Sequence, residues 1–234
     1  MLEKRGLGHV EAILSFVIFI GFIVFAFVFF SPFQSNRTLK STLDYAWREV
    51  YDFANIDLET YSVYITDTNA PSIVALAISG APAGLNATVE GSSGNLVQSY
   101  TNSNGLVIFS KPADRFARIK FGPDFGAGNS IIGIVIPPQS YTVSSSETKK
   151  YFSESRLLGL NSTYNADYNV LKKQFNLPNR VNFGFSLTFS DGTKIAASKE
   201  IPKNAEVISQ TDRAAVVRIN GGLIEYAEMR VFVW

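Results

Sequence analysis

The sequence predicts an α+β protein: an N-terminal transmembrane and stalk helix, then an antiparallel, β-rich, sandwich-like extracytoplasmic head. Three observations carry this. Ala12–Phe30, AILSFVIFIGFIVFAFVFF, holds no charge, and Ser15 is its only polar side chain. Thr38–Phe53 then repeats apolar residues at three- and four-residue intervals. Past Asn55 the apolar pattern alternates every second residue between clusters of Gly, Pro, Asn and Ser.

A helix of the first tract spans roughly 28 Å at 1.5 Å rise per residue, close to the ~30 Å hydrocarbon core of a bilayer. Apolar residues cover every face, so no side is suited to water. Inside lipid only a helix satisfies its own backbone, which overrides the β leanings of so many Phe, Ile and Val residues. A cleaved secretory signal is the rival reading, but its hydrophobic region runs ~7–15 residues and ends in a small-x-small site. This tract is longer and runs out through Phe29, Phe30, Ser31, Pro32 and Phe33, so retention is expected. Lys4 and Arg5 before it and Arg37 and Lys40 after it nearly balance for the positive-inside rule. The long polar chain that follows favours a cytoplasmic N-terminus and an extracytoplasmic head.

The preface Lys4-Arg5-Gly6-Leu7-Gly8-His9-Val10-Glu11 leads directly into the apolar tract. This region resembles the processing region of type IV pilin-like precursors, especially the archaeal class III signal peptide proteins. In that family a membrane peptidase cuts after a small residue that follows a basic pair, and the hydrophobic helix stays on the mature chain. The resemblance implies that Lys4, Arg5, Gly6 and Leu7 form the processing site. Gly6 would precede the cut, Leu7 would become the new N-terminus, and Glu11 would be the fifth mature residue, a place where pilins carry glutamate. It covers about the first thirty residues. It further implies a prepilin-type leader peptidase as a partner, and assembly into a homo- or hetero-oligomeric surface filament.

Read by physics alone, Glu11 sits at the edge of the tract, where its carboxylate can reach the headgroups at little cost. In a packed filament it could instead pair with the amine of Leu7 on a neighbouring subunit, which would offset its desolvation. His9, the only histidine, is expected in the headgroup zone, since one imidazole makes no metal site.

Ser31-Pro32 is expected to interrupt or kink the helix. The stalk after it places Leu39, Leu43, Ala46 or Trp47, Val50 and Ala54 on one stripe. That stripe must pack either on the chain's own head or on a neighbouring stalk. Strands are expected at Tyr61–Thr66, Ser72–Ile78, Asn86–Val89, Leu96–Tyr100, Leu106–Phe109 and Arg118–Phe121, a spacing that suits an antiparallel sandwich. The run YTNSNGLVIF (Tyr100–Phe109) is similar to the strand-loop-strand of prealbumin-like and bacterial Ig-like modules, which also implies a β-sandwich.

Ser130–Ile136, SIIGIVI, is too short to span a membrane and reads as a buried central strand. Tyr141–Ser145 reads as a strand, Glu147–Leu158 as a helical turn, and Asp167–Phe175 as a short amphipathic helix. Arg180–Phe189 alternates Val181, Phe183, Phe185, Leu187 and Phe189, and Asp191-Gly192 turns the chain into Lys194–Ser198. Glu206–Gln210, Ala214–Ile219 and Leu223–Trp234 complete the strands, the last two joined at Asn220-Gly221-Gly222.

The domain plan is a processed leader at 1–6, a transmembrane helix at 7–33, a stalk at 34–55 and a head at 56–234, divisible into subdomains 56–140 and 141–234. Twenty-one basic against twenty acidic residues give no electrostatic case for nucleic acid. With one His and no Cys, a Ser/His/Asp triad, a Cys nucleophile, a zinc site and disulfides are all disfavoured. Asp57 with Glu59, and Asp114 with Asp124, read as solvated pairs rather than acid–base catalysts. The glycine clusters lack the context of a phosphate loop. Asp67 with Asn69 could offer oxygens to calcium, but no metal, cofactor or enzymatic activity is expected. Asn36, Asn86 and Asn161 are permitted glycosylation acceptors. The expected function is a pilin-like membrane-anchored structural subunit or minor pilin. The alternative is a monomeric single-pass surface protein whose Ig-like head binds a ligand or partner.

Overall fold

Helix α1 runs from Lys4 to Ala54 in the computed structural model, which describes residues 4–219 and 222–234, with the backbone alone for 4–9 and 28–37. The expected interruption at Ser31-Pro32 is corrected: the backbone stays helical there. One proline removes a single ladder bond, and apolar and amphipathic turns on both sides sustain the helix. At its C-terminal end Leu43, Ala46, Val50 and Ala54 are buried, with Leu39 and Trp47 packed beside them. The stalk's stripe therefore packs on the chain's own head.

The helix passes directly into β1 (Asn55–Ile65), the start of a strand-rich, curled α+β head. There follow β2 (Ile73–Leu76), β3 (Asn86–Gly91), β4 (Leu96–Val97), β5 (Ser99–Thr101), β6 (Val107–Ser110), β7 (Phe116–Gly122) and β8 (Ile134–Val135). A 3-10 turn at Pro138–Ser140 leads into β9 (Tyr141–Ser153), then helices α2 (Glu154–Ala166) and α3 (Tyr168–Gln174). The chain closes with β10 (Phe183–Phe189), β11 (Lys194–Ala197), β12 (Ile208–Val217) and β13 (Ile224–Val233). A nine-stranded sheet has the order β11-β10-β13-β12-β9-β1-β7-β3-β4, and a four-stranded sheet the order β5-β6-β2-β8.

Both main cores lie on the same face of the large sheet. Phe152, in the helical core, pairs with Asn55, and alternate residues along β1 carry that face to Tyr61, in the other core. Over the C-terminal half the face is covered by α1, α2 and α3, whose Leu157, Leu160, Tyr164 and Leu171 meet Phe183, Phe185 and Leu187. Over the N-terminal half it is covered by the four-stranded sheet, whose Val74, Leu76, Val107 and Phe109 meet Val63, Val89 and Ile119. The helices start on side-chain caps: Ser153 Oγ accepts the Arg156 N–H at 3.1 Å, and Asp167 Oδ1 accepts the Val170 N–H at 3.0 Å.

Several boundaries differ from expectation. Ser130–Ile136 is no central strand: β8 covers only Ile134 and Val135, pairs parallel with β2, and forms the exposed edge of the small sheet. That sheet's inner face is already filled by Val74, Leu76, Val107 and Phe109, so the segment takes the edge. Glu147–Ser153 is strand rather than helical turn, because β9 follows β1 along its whole length with one register shift near Ser62. Leu96–Tyr100 divides at Gln98, with β4 in the large sheet and β5 in the small one. Glu206–Gln210 and Ala214–Ile219 merge into β12, since the polar Thr211-Asp212-Arg213 between them pairs with Arg230, Met229 and Glu228 in turn, in a half-solvated ladder. The sheets are also not purely antiparallel: β9 and β12 run parallel at Phe152–Ser153 and Val216–Val217.

Candidate functional site

The most unusual surface belongs to α1. Over Val10–Phe27 the mean hydropathy is 2.6, and none of those residues is buried. Phe16 and Phe27 stand on one side of the helix and Ile18 and Phe22 on the opposite side, all exposed. Burying such side chains is worth roughly 1.5–3 kcal/mol each, so an apolar collar this long calls for an apolar surrounding. By length and composition it is the one helix, among the described residues, able to cross a membrane.

Glu11 is the second residue of this stretch, its only charge, and exposed. Lys4, Arg5, Gly6 and Leu7 form the first turns of α1; their side chains, like that of His9, lie outside the described residues. Met1–Glu3 and Asn36's side chain also lie outside them. The backbone thus places the basic pair, the Gly6–Leu7 peptide and Glu11 in one helical run of about two turns.

The head's other polar features lie on both faces of the large sheet, Lys120 and Thr88 on the face away from the two main cores and Arg218 against the helix-covered core at Phe189. Lys120 Nζ meets Glu90 Oε1 at 2.5 Å, diagonally across β7 and β3, with side chains only 10% and 7% exposed. Nearby, Thr88, Leu96, Ser99, Phe125, Gly128 and Gly222 border a cleft of about 320 Å³. Thr88 Oγ1 is buried there with no hydrogen-bond partner among the described residues. Arg218 forms a second charged cluster, with Nε 3.2 Å from Glu154 Oε2, one terminal nitrogen 3.3 Å from Glu225 Oε2, and the other 4.0 Å from Asp191 Oδ2. Its guanidinium also stacks over the Phe189 ring at 3.9 Å.

Of the carboxylates singled out in sequence, Asp57 is exposed and the others are engaged locally. Glu59 accepts the Tyr61 hydroxyl at 3.0 Å, and Tyr61 is pushed up from its usual range by burial and then by Glu59. Asp114 is held below the ordinary carboxylate range by its bond from Ser92 and then by the Phe116 N–H. Asp124 accepts the Ser153 hydroxyl. Asp67 Oδ1 accepts the Asn69 N–H at 2.8 Å, an Asx turn. Among the described residues no three His, Asp or Glu side chains gather where a metal could sit. Asn86 donates its amide to the Phe125 carbonyl at 2.8 Å, so that sequon nitrogen is already engaged, while Asn161 is on α2 and accepts from Asn165 at 2.8 Å.

Sequence reading missed the Lys120–Glu90 pair and the Arg218 cluster. Each joins residues from elements whose adjacency depends on sheet order, so spacing along the chain carries no signal for them. No protein-family model, curated protein or solved structure matches the chain.

Proposed function

We propose that this chain is a pilin-like, membrane-anchored structural subunit or minor pilin of a cell-surface filament. Its leader ends at Gly6, its helix lies in the membrane or among copies of itself, and its head faces outward. The observation that carries this reading is the two-part character of α1. The Leu43–Ala54 end is locked into the head, while Val10–Phe27 projects with apolar residues on all sides. A head-bound helix with an all-round apolar end suits lipid before assembly and a helix bundle after it. Lys4 and Arg5 would mark the substrate for a prepilin-type peptidase, Gly6 would fit the cut, and the freed Leu7 amine would pair with Glu11 of a neighbour.

A second reading keeps the anchor but ends at one copy, with the Ig-like head binding a ligand. The cleft beside Thr88 favours it, because a buried hydroxyl without a partner offers an oriented contact to a guest.

Purification from native membranes, with intact mass and electron microscopy, tests the first reading. Loss of the first six residues together with filaments is the expected result. Retention of Met1 on isolated single copies would leave the second.

A further inference from the structure

We propose that the Ser130–Ile136 edge of the small sheet is a self-association surface, which pairs antiparallel with the same edge of a second copy. Ile132 is 93% exposed, Ile134 64% and Val135 59%, in the most apolar run of the head. The exposure is built in by Gly133. A Cβ there would stand 2.6 Å from Ile108 Cγ2 and 3.2 Å from Ile73 Cγ2, so the bare backbone lies against β2 and β6. The outer edge of β8 makes no further backbone pairing among the described residues.

Three longer free edges of this protein carry the usual guards against strand addition. The long β9 edge has Glu147, Lys149, Lys150 and a register shift, β12 has Asp212 and Arg213, and β11 has Lys194. Ser130–Ile136 has no charge, no proline and several β-branched residues, the make-up of a segment that pairs with its own kind. Apart from the Ser130 hydroxyl at its start, a partner of different chemistry would find no charge or hydrogen-bonding side chain on it to read; an identical apolar edge is the complementary surface.

Three exposed side chains bury far less than the ~1,200 Å² of a stable free interface. The contact therefore forms between copies already concentrated by their helices, where a linked second contact needs little intrinsic affinity. In this respect it rests on the anchored reading proposed above.

The chain has no cysteine, so one introduced thiol reports self-contact without background. Pairing centred on Ile134 brings the two Ile134 Cα atoms to ~4.5–5.5 Å, within disulfide reach. Full-length Ile134→Cys in native membranes, mildly oxidised, is expected to shift to twice the monomer mass. Lys194→Cys should remain monomeric, and adding Ile132→Asp to Ile134→Cys should abolish the shift with melting unchanged. A monomer, or a disulfide to a different protein, would overturn the proposal. Intact mass from the same sample reads trimming separately: an untrimmed dimer retains the edge contact and removes the processing, and a trimmed monomer does the reverse.

Discussion

Arg218 Nε lies 3.2 Å from Glu154 Oε2, and the same oxygen accepts the Ile219 backbone N–H at 2.9 Å. This contact fastens the turn between β12 and β13 to the first turn of α2, where a carboxylate also complements the helix dipole. The two side chains are only 16% and 12% exposed. Arg218→Ala would leave Glu154 poorly solvated without its cation and strip the Phe189 ring of its cover. The expected cost is about 2–4 kcal/mol, read as a lower urea midpoint for the full chain in detergent. Arg218→Lys should recover only part of it, because an ammonium cannot meet Glu154 and Glu225 while stacking on Phe189.

The Lys120–Glu90 pair should behave as a unit. Lys120→Met alone strands a buried carboxylate, and Glu90→Leu alone strands a buried ammonium, each at about 3–5 kcal/mol. The double variant replaces both with apolar groups and should lose far less than the sum. A double-mutant cycle on unfolding free energies checks this, and additive losses would show the two charges to be independent.

Tyr164 donates to the Phe183 carbonyl at 2.6 Å and accepts the Lys199 N–H at 3.1 Å. Burial, then neighbouring Tyr168, pushes its phenol well above the usual range. A raised folded value means that its stabilisation is whole below about pH 10 and is lost as pH climbs beyond it. Burial also raises Tyr168, which acts in the same direction. Lys172, lowered by burial and then by Lys199, works oppositely, its penalty easing as it deprotonates. The melting temperature should therefore fall above pH 10. Tyr164→Phe should be less stable from the outset, by about 1–3 kcal/mol for the unpaired carbonyl, and its melting temperature should fall less steeply above pH 10.

Gly128 sits at φ +81°, and a Cβ there would stand 2.2 Å from the Ser99 carbonyl oxygen. Gly128→Ala should cost about 2–3 kcal/mol, strain and collision together. Gly80, at φ +83° with open space around it, supplies the control: Gly80→Ala should cost about 1–2 kcal/mol. Equal melting temperatures for the two variants would remove the close approach.

Glu11 tests assembly apart from anchoring. Glu11→Ala is expected to insert into the membrane and be trimmed normally, yet fail to form filaments, since it leaves a neighbour's Leu7 amine unpaired. Filaments at normal yield would discard the pairing role and leave Glu11 as a headgroup-zone residue.

The periodicities of the chain announced most of the secondary structure. The all-round apolarity of Ala12–Phe30 and the stripe at Leu43, Ala46, Val50 and Ala54 are local signals, and the helix formed on both. The alternation of Phe183, Phe185, Leu187 and Phe189 likewise dictated which side of β10 is buried. The basic pair, Gly6, Leu7 and Glu11 were legible as a motif, but the processing and pairing proposed for them would need a peptidase and neighbouring subunits, which one chain does not contain.

What the sequence by itself determined was the kind of each strongly patterned element and the face it buries, because side-chain period follows from backbone geometry. The tertiary structure alone decided which elements became neighbours. It split Leu96–Tyr100 between two sheets, sent SIIGIVI to an exposed edge, and brought Lys120 to Glu90 and Arg218 to Glu154. Those outcomes depend on which inner surfaces were already filled by distant residues, a competition settled only when the whole chain packs.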